Sequence, residues 1–326
     1  MNGEPRTYQL PVLVTGGTGF VGSHLIETLL TAGFSNVHTT TFGDQKSFVH
    51  DILPAQNIHK VDLTNQSAIS ALFVEIKPTT IYHLAAYADA GASFDQSQLV
   101  LENNLKIQLS FLEAVRQSAP KARILVVGSG MEYDFIAKKA TKITEEHPLG
   151  PVSPYAVSKV IQDLLGLSFA YSYKLDVVRA RPFNHIGERQ TAAFAIPSFA
   201  QQIVAIENGK QKHIAVGNLD SVRDFTDVKD VVKSYILLLE KGQGGEVYNI
   251  GSGVGHSMQE MLDMLCELST VKIEVVTDPA KVRPLDVPMV VADISKIQKL
   301  GWSPEIPIQE TLRRILEEWR AKPTET

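Results

Sequence analysis

The chain has 326 residues, enough for one large domain or two smaller ones with a sizeable buried core. Apolar residues make up 44%, charged residues 21%, and the net charge is −5 without like-charge blocks, an ordinary globular balance that argues against nucleic-acid or anionic-membrane partners. A single cysteine, Cys266, excludes an internal disulfide framework; no run reaches the ~18 apolar residues of a membrane span, and MNGEPRTYQL does not read as a signal peptide, so a cytoplasmic enzyme is the expectation.

The elements follow in order. Pro11 to Thr15 reads as a short buried strand, and Phe20 to Thr31 has helical spacing, with Val21, Leu25, Ile26, Leu29 and Leu30 on one side. Val37 to Thr41, His59 to Val61 and Thr79 to Leu84 read as the second, third and fourth strands. Asn65 to Ile76 is helical and stops at Lys77-Pro78; Leu99 to Ser118 is a longer helix, also stopped by a proline. Arg123 to Val127 predicts a fifth strand, Pro154 to Tyr173 a helix, and Asp176 to Ala180 a sixth strand. Six alternations of strand and helix predict an α/β, Rossmann-like doubly wound parallel sheet. The remainder is less regular, with short strands expected around Ile214, Val247 and Val271 and helices near Val228, Met258, Ile294 and Ile308. The expected division is a dinucleotide-binding domain over 1–182. A smaller C-terminal substrate-binding region over 183–326 follows, with about 220–252 and 286–302 interleaved with the first domain.

TGGTGFVG at 15–22 follows a strand and opens a helix, the setting that gives a glycine-rich turn meaning. Gly16 allows the sharp turn, Gly19 the approach of a pyrophosphate, and Gly22 close packing of the helix on the sheet. The first helical amides supply partial positive charge. Asp62, after the third strand, either accepts a bond from an adenine amino group or caps the following helix. His83 reads as a packed core residue, and Leu84, Ala85 and Ala86 leave room for a cofactor. The second strand ends Thr39-Thr40-Thr41-Phe42-Gly43, with no acid before Asp44 and Lys46 nearby. Hydroxyls there favour NADP, with NAD as the alternative.

Tyr155 and Lys159 lie four residues apart on one helix, so they share a face. A free tyrosine titrates near 10, and a neighbouring ammonium is expected to lower it. Ser129, just past the fifth strand, is placed to hydrogen-bond a substrate oxygen. A dinucleotide beside such a tyrosine implies hydride chemistry on an alcohol or ketone. Nothing in these patterns calls for a metal.

In order along nearly the whole chain run TGGTGFVG, VDL, YHLAA, Asn104 in ENNLKIQLSFLEA, VGSGMEY, SPYAVSK, RPFNHIG, RDFTDVKDV, YNIGSG, RPLDVP and LGWSPE. This series resembles the extended short-chain dehydrogenase/reductases of the nucleotide-sugar type. The resemblance implies a catalytic set of Ser129, Tyr155 and Lys159. It implies a cofactor site drawing on Gly16, Gly19, Phe20, Val21, Gly22, Thr41, Asp62, Leu63, Leu84, Ala85, Ala86, Asn104, Tyr155, Lys159 and Pro182. On the substrate side it implies Ser129, with Asn184 at the diphosphate and Arg223 and Arg283 clamping ribose and diphosphate. The alternative for the arginines is an ion pair with Asp224 or Asp286. Asp227 and Asp230 read as caps for the helix from Val228, and Trp302 and Trp319 as packing residues.

The Asn184-His185 pair resembles the branch acting on GDP-mannose derivatives, with a structural turn residue as the alternative for His185. Three features depart from the family pattern. Gly128 stands where a second serine is common, Asp134 where glycine is common, and Glu188-Arg189 where Pro-Gly is common. The implied activity is reduction of a GDP-4-keto-6-deoxy-mannose-type ketone by NAD(P)H. The alternatives are a 4-epimerase or 4,6-dehydratase with retained cofactor, or a silent cofactor sensor. Related dehydratases carry an acid one or two residues after the catalytic Ser or Thr. Here those places hold Gly130 and Met131, and Glu132 is expected to point elsewhere. The family also implies a homodimer through helices at 97–117 and 154–173.

Overall fold

The computed structural model describes residues 9–43, 46–88, 91, 93–135, 142–281 and 287–323. Its first half alternates β1 (Val12–Thr15), α1 (Phe20–Thr31), β2 (Val37–Thr41), α2 (Val49–Ile52), β3 (Ile58–Lys60) and α3 (Gln66–Ile76). It continues through β4 (Thr80–His83), α4 (Ser97–Ser118), β5 (Arg123–Val127), α5 (Pro154–Tyr173) and β6 (Asp176–Pro182). Local chemistry sets these bounds. The Asn65 side chain accepts from Ala68 N and starts α3; Lys77 turns left-handed (φ 52°) just before Pro78 and ends it. Ser153 caps α5 with Pro154 in its first turn, where a missing N–H costs nothing.

The second half runs β7 (Asn184–Ile186), α6 (Ala195–Glu207), β8 (Ile214–Val216), β9 (Val222–Asp227), α7 (Val228–Lys241) and β10 (Val247–Ile250). Then come β11 (Gly255–Ser257), α8 (Met258–Glu267), β12 (Val275–Thr277), β13 (Met289–Val290), α9 (Ser295–Gln298) and α10 (Ile308–Ala321).

Seven strands form one sheet in the order β10-β6-β5-β4-β1-β2-β3, every pair parallel. Leu25, Ile26 and Leu29 of α1 and Val231, Val232 and Leu238 of α7 bury one face. Ile69 and Phe73 of α3, Phe111 and Leu112 of α4 and Phe169 of α5 bury the other. Helices on both faces explain why β1 and β5 are near-continuous apolar runs rather than alternating. This is the Rossmann-like doubly wound sheet. A separate core of Ile196, Phe199 and Ile203 (α6), Met261 and Leu265 (α8) and Leu312 and Ile315 (α10) supports the rest.

Several features depart from expectation, among them strands β7, β9, β11 and β13 and the short helix α2, none of them expected from the sequence. The strand expected around Val271 lies at Val275–Thr277, where it pairs with β8, while Val271 itself is exposed. Helix α6 was not expected: Pro197 and the alanines around it obscure a helical period that buries Ile196, Phe199, Ala200 and Ile203. A proline in the first helical turn breaks no hydrogen bond, so it does not stop the helix.

Candidate active site

The strand order reverses around β1, which lies between β4 and β2, and open sheets of this kind bind ligands at that point. Gly16 there takes φ +71°. A Cβ on Gly22 would lie 2.4 Å from Gly16 O, so α1 begins directly against the turn. This corrects the expected role of Gly22: its close neighbour is the turn itself rather than the sheet. Helix α1 has no capping side chain and no acid in its first turn, so its first amides are left for an external anion.

The turn opens into a cavity of about 1230 Å³, larger than a typical single-ligand site. It is lined by Gly16, Gly19, Phe20, Val21, Gly22, Thr41, Asp62, Leu63, Leu84, Ala85 and Ala86. Ser129, Tyr155, Lys159 and Pro182 line the same cavity, and so do Asn184, His185 and Arg223. Asn104 is different. It is fully buried, accepts from Tyr87 N (2.7 Å) and donates to Tyr87 O and to Ser158 Oγ (2.9 Å). Its neighbours Asn103 and Ile107 reach the cavity instead, so Asn104 fixes the wall from behind. Arg283, with Asp286, lies outside the described residues.

Ser129 stands two residues past the end of β5, and Tyr155 and Lys159 share a face of α5, so sheet and helix jointly bring the three together. Burial pushes the Tyr155 phenol up, to about 12, against the pull of its hydrogen bond with the Ser129 side chain. Burial pushes Lys159 down, to about 8, opposed by the Glu132 carboxylate. Lys159 Nζ donates to Val127 O at 3.0 Å and lies 6.0 Å from the centre of the tyrosine ring. The expected lowering of the phenol by the ammonium is therefore not what the structure shows. Desolvation outweighs it, and the phenol holds its proton.

Other side chains are explained by their partners. His83 is buried, stacks on Phe111 at 3.8 Å and shares a hydrogen bond with Thr15 Oγ1 (2.9 Å). Asp62 Oδ1 accepts from Thr64 N and Oγ1, both at 2.8 Å, while Asn65 is the helix cap. Lys46 pairs with Asp51 at 2.9 Å on an exposed surface. Asp224 is buried and accepts from the amides of Ser252, Gly253 and Ala292. Arg223 donates to Val287 O (2.7 Å) from the cavity side. Asp227 caps α7, but Asp230 does not; it accepts from Glu305 N and Ile306 N, both at 2.7 Å, and so holds the Trp302 loop. Arg189 adopts φ +69°, the conformation a glycine would take there, and is held by Glu318 on its amide and by His24 and Glu27 on its guanidinium. Cys266 is half-buried against the C-terminal core, and burial raises its thiol.

The lining residues missed in the sequence include Ala192 to Ile196, Ser198 and Phe199 near α6, Ala215 to Leu219 at the end of β8, and Tyr235, Met258 and Lys281. No motif marks them. The helical period of α6 was the one available signal.

Residues 13–315 match the family model described as GDP-mannose 4,6 dehydratase. The chain is 34% identical over 313 residues to a GDP-6-deoxy-D-mannose reductase of Pseudomonas aeruginosa, covering 95% of this chain and 97% of that one. It is 27% identical to a GDP-mannose 4,6-dehydratase of Vibrio cholerae, covering 93% and 92%. Among solved structures, RMD from Pseudomonas aeruginosa complexed with NADPH superposes with TM-score 0.84 at 33% identity, over 96% of this chain and 99% of that one. A Thermus thermophilus UDP-glucose 4-epimerase complexed with NAD gives TM-score 0.84 at 30% identity over the same shares.

Proposed function

The chain belongs to the GDP-mannose 4,6-dehydratase family, and from that premise we propose that it is a nucleotide-sugar reductase acting on the 4-keto group of a GDP-4-keto-6-deoxy-mannose-type substrate. The observation that carries this reading is one cavity walled by the glycine turn, by Ser129, Tyr155 and Lys159, and by Asn184 and Arg223. The likeness to the Pseudomonas reductase supports the substrate class.

The cradle fits a dinucleotide: bare amides at the start of α1, a turn with no room for a side chain at Gly22, and Asp62 lining the same cavity. When bound, the reduced nicotinamide supplies the hydride. The chain supplies the rest. Ser129 holds the ketone oxygen, Tyr155 gives it a proton, and Lys159 stabilises the phenolate left behind. Asn184, Arg223 and Arg283 hold the diphosphate end in this reading. NADP is favoured by the Thr39-Thr40-Thr41 strand end and by the likeness to an NADPH complex. Dehydration is disfavoured because Gly130 and Met131, which line the cavity after Ser129, carry no acid. Exposed Leu99, Leu105 and Leu109 on α4 and Leu164 on α5 support a homodimer through these helices.

A panel of 4-keto nucleotide sugars, each offered with NADPH and NADH, tests the reading by loss of reduced-cofactor absorbance. The GDP-linked 4-keto-6-deoxy sugar with NADPH should be turned over best. Preference for a UDP sugar or for NADH would contradict it.

A further inference from the structure

Strand β5 ends at Val127, and Gly128 continues its ladder by donating to Ala180 O at 2.8 Å. At Ser129 the chain leaves the sheet, and its amide loses a strand partner. Glu132 replaces it: Oε1 accepts from Ser129 N at 2.6 Å. Ser129 Oγ in turn accepts from Met131 N at 3.1 Å. This reciprocal box spans one short turn and fixes both the backbone and the side chain of the serine that faces the cavity.

The carboxylate is held from behind. Its Oε2 lies 3.0 Å from Arg181 Nε on β6. Arg181 also donates to Asp163 Oδ2 at 2.6 Å, and Arg179 reaches the same oxygen at 2.7 Å. Asp163 sits on α5, the helix that carries Tyr155 and Lys159. Glu132, Asp163 and both arginines are buried. A line of charged contacts thus ties the Ser129 turn to the tyrosine helix. Such a buried set costs desolvation that apolar residues of the same size would not, so its retention asks for a purpose.

Gly128 belongs to the same device. A Cβ there would lie 2.2 Å from Glu132 Oε1. The missing side chain at 128 and the carboxylate at 132 are one arrangement, in which the carboxylate fills the space a serine would occupy.

We propose that Glu132, seated by Arg181 in the space left by Gly128, is a positioning residue that sets Ser129 against Tyr155 for proton delivery to the substrate oxygen. It touches neither substrate nor cofactor, since it is buried behind the cavity wall. The inference rests on the reductase reading for the reaction that Ser129 serves.

The test is a double-mutant cycle, Glu132→Gln against Ser129→Ala, on NADPH-dependent reduction of the GDP-linked 4-keto-6-deoxy sugar. Glutamine is isosteric, so the protein should fold. It keeps an acceptor for Ser129 N but removes the charge that faces Arg181. In the wild-type background kcat should fall about 10- to 100-fold, with KM and NADPH affinity held within about 3-fold. In the Ser129→Ala background the same change should cost less than about 2-fold, because the group it positions is gone. An equal loss in both backgrounds, or wild-type kcat in Glu132→Gln, would overturn the proposal. Wild-type protein inert towards the sugar would count against the reductase reading alone. Positioning would then be read from crystal structures: Ser129 Oγ displaced by about 1 Å in Glu132→Ala supports it, and an unmoved Oγ overturns it.

Discussion

A buried phenol held near 12 keeps its proton at neutral pH, and reducing a ketone consumes one. Tyr155→Phe removes that proton while keeping the ring. Turnover should fall at least about 100-fold with NADPH binding retained, measured by steady-state rates and by cofactor fluorescence. Near-normal turnover would take Tyr155 out of the mechanism. Lys159 gives the pH dependence. It is cationic below about 8 and neutral above it, so kcat/KM should decline as pH rises through that value. The groups acting electrostatically around it include Glu132, His83 and His185. Burial pushes the Glu132 carboxyl up, to about 8, and in its ionised form it raises Lys159, so Glu132→Gln should move the alkaline limb to lower pH. An unmoved limb would assign it to another group. At this scale the sequence was informative about which residues meet: Tyr155, Lys159 and Ser129 are named by helix spacing and a strand end. It was silent on their electrostatics. Burial reverses the expected shift of the phenol, and no spacing rule reports burial.

Elements were legible where a cap or a proline marks an end. Helix α1 and strands β2 and β5 have the bounds read from the sequence, and α3 ends where Lys77-Pro78 says it must. They were illegible where the period is broken by small residues, as in α6, or where a strand is two or three residues long and exists only because a partner is present, as in β12 and β13. Asp230 shows the same limit. Its sequence position suggests a helix cap, but its carboxylate satisfies two amides of a segment 75 residues away. Asp230→Ala should leave those amides unpaired, cost about 2 kcal/mol and lower the unfolding temperature by roughly 3 °C. Calorimetry checks this; an unchanged temperature would show that water replaces the carboxylate without cost.

At the scale of the whole molecule, one continuous cavity joins the dinucleotide turn to a wall drawn from α6, β8 and α7. The sequence located the first end, because a pyrophosphate turn has a local signature. The second end is assembled from segments far apart in the chain, and only folding brings them together. The outward leucines of α4 and α5 predict that the protein sediments as a dimer. Leu105→Glu with Leu109→Glu should give monomers by analytical ultracentrifugation. Wild-type sedimentation as a monomer would remove that face as an interface.

Cofactor stoichiometry separates reduction from dehydration and epimerisation. GDP-mannose alone should yield no 4-keto-6-deoxy product, because Gly130 and Met131 offer no acid for elimination. The preformed GDP-4-keto-6-deoxy sugar should oxidise NADPH one-for-one with sugar reduced. Dehydration of GDP-mannose by the purified protein, or conversion of the sugar with no net change in NADPH, would contradict the account.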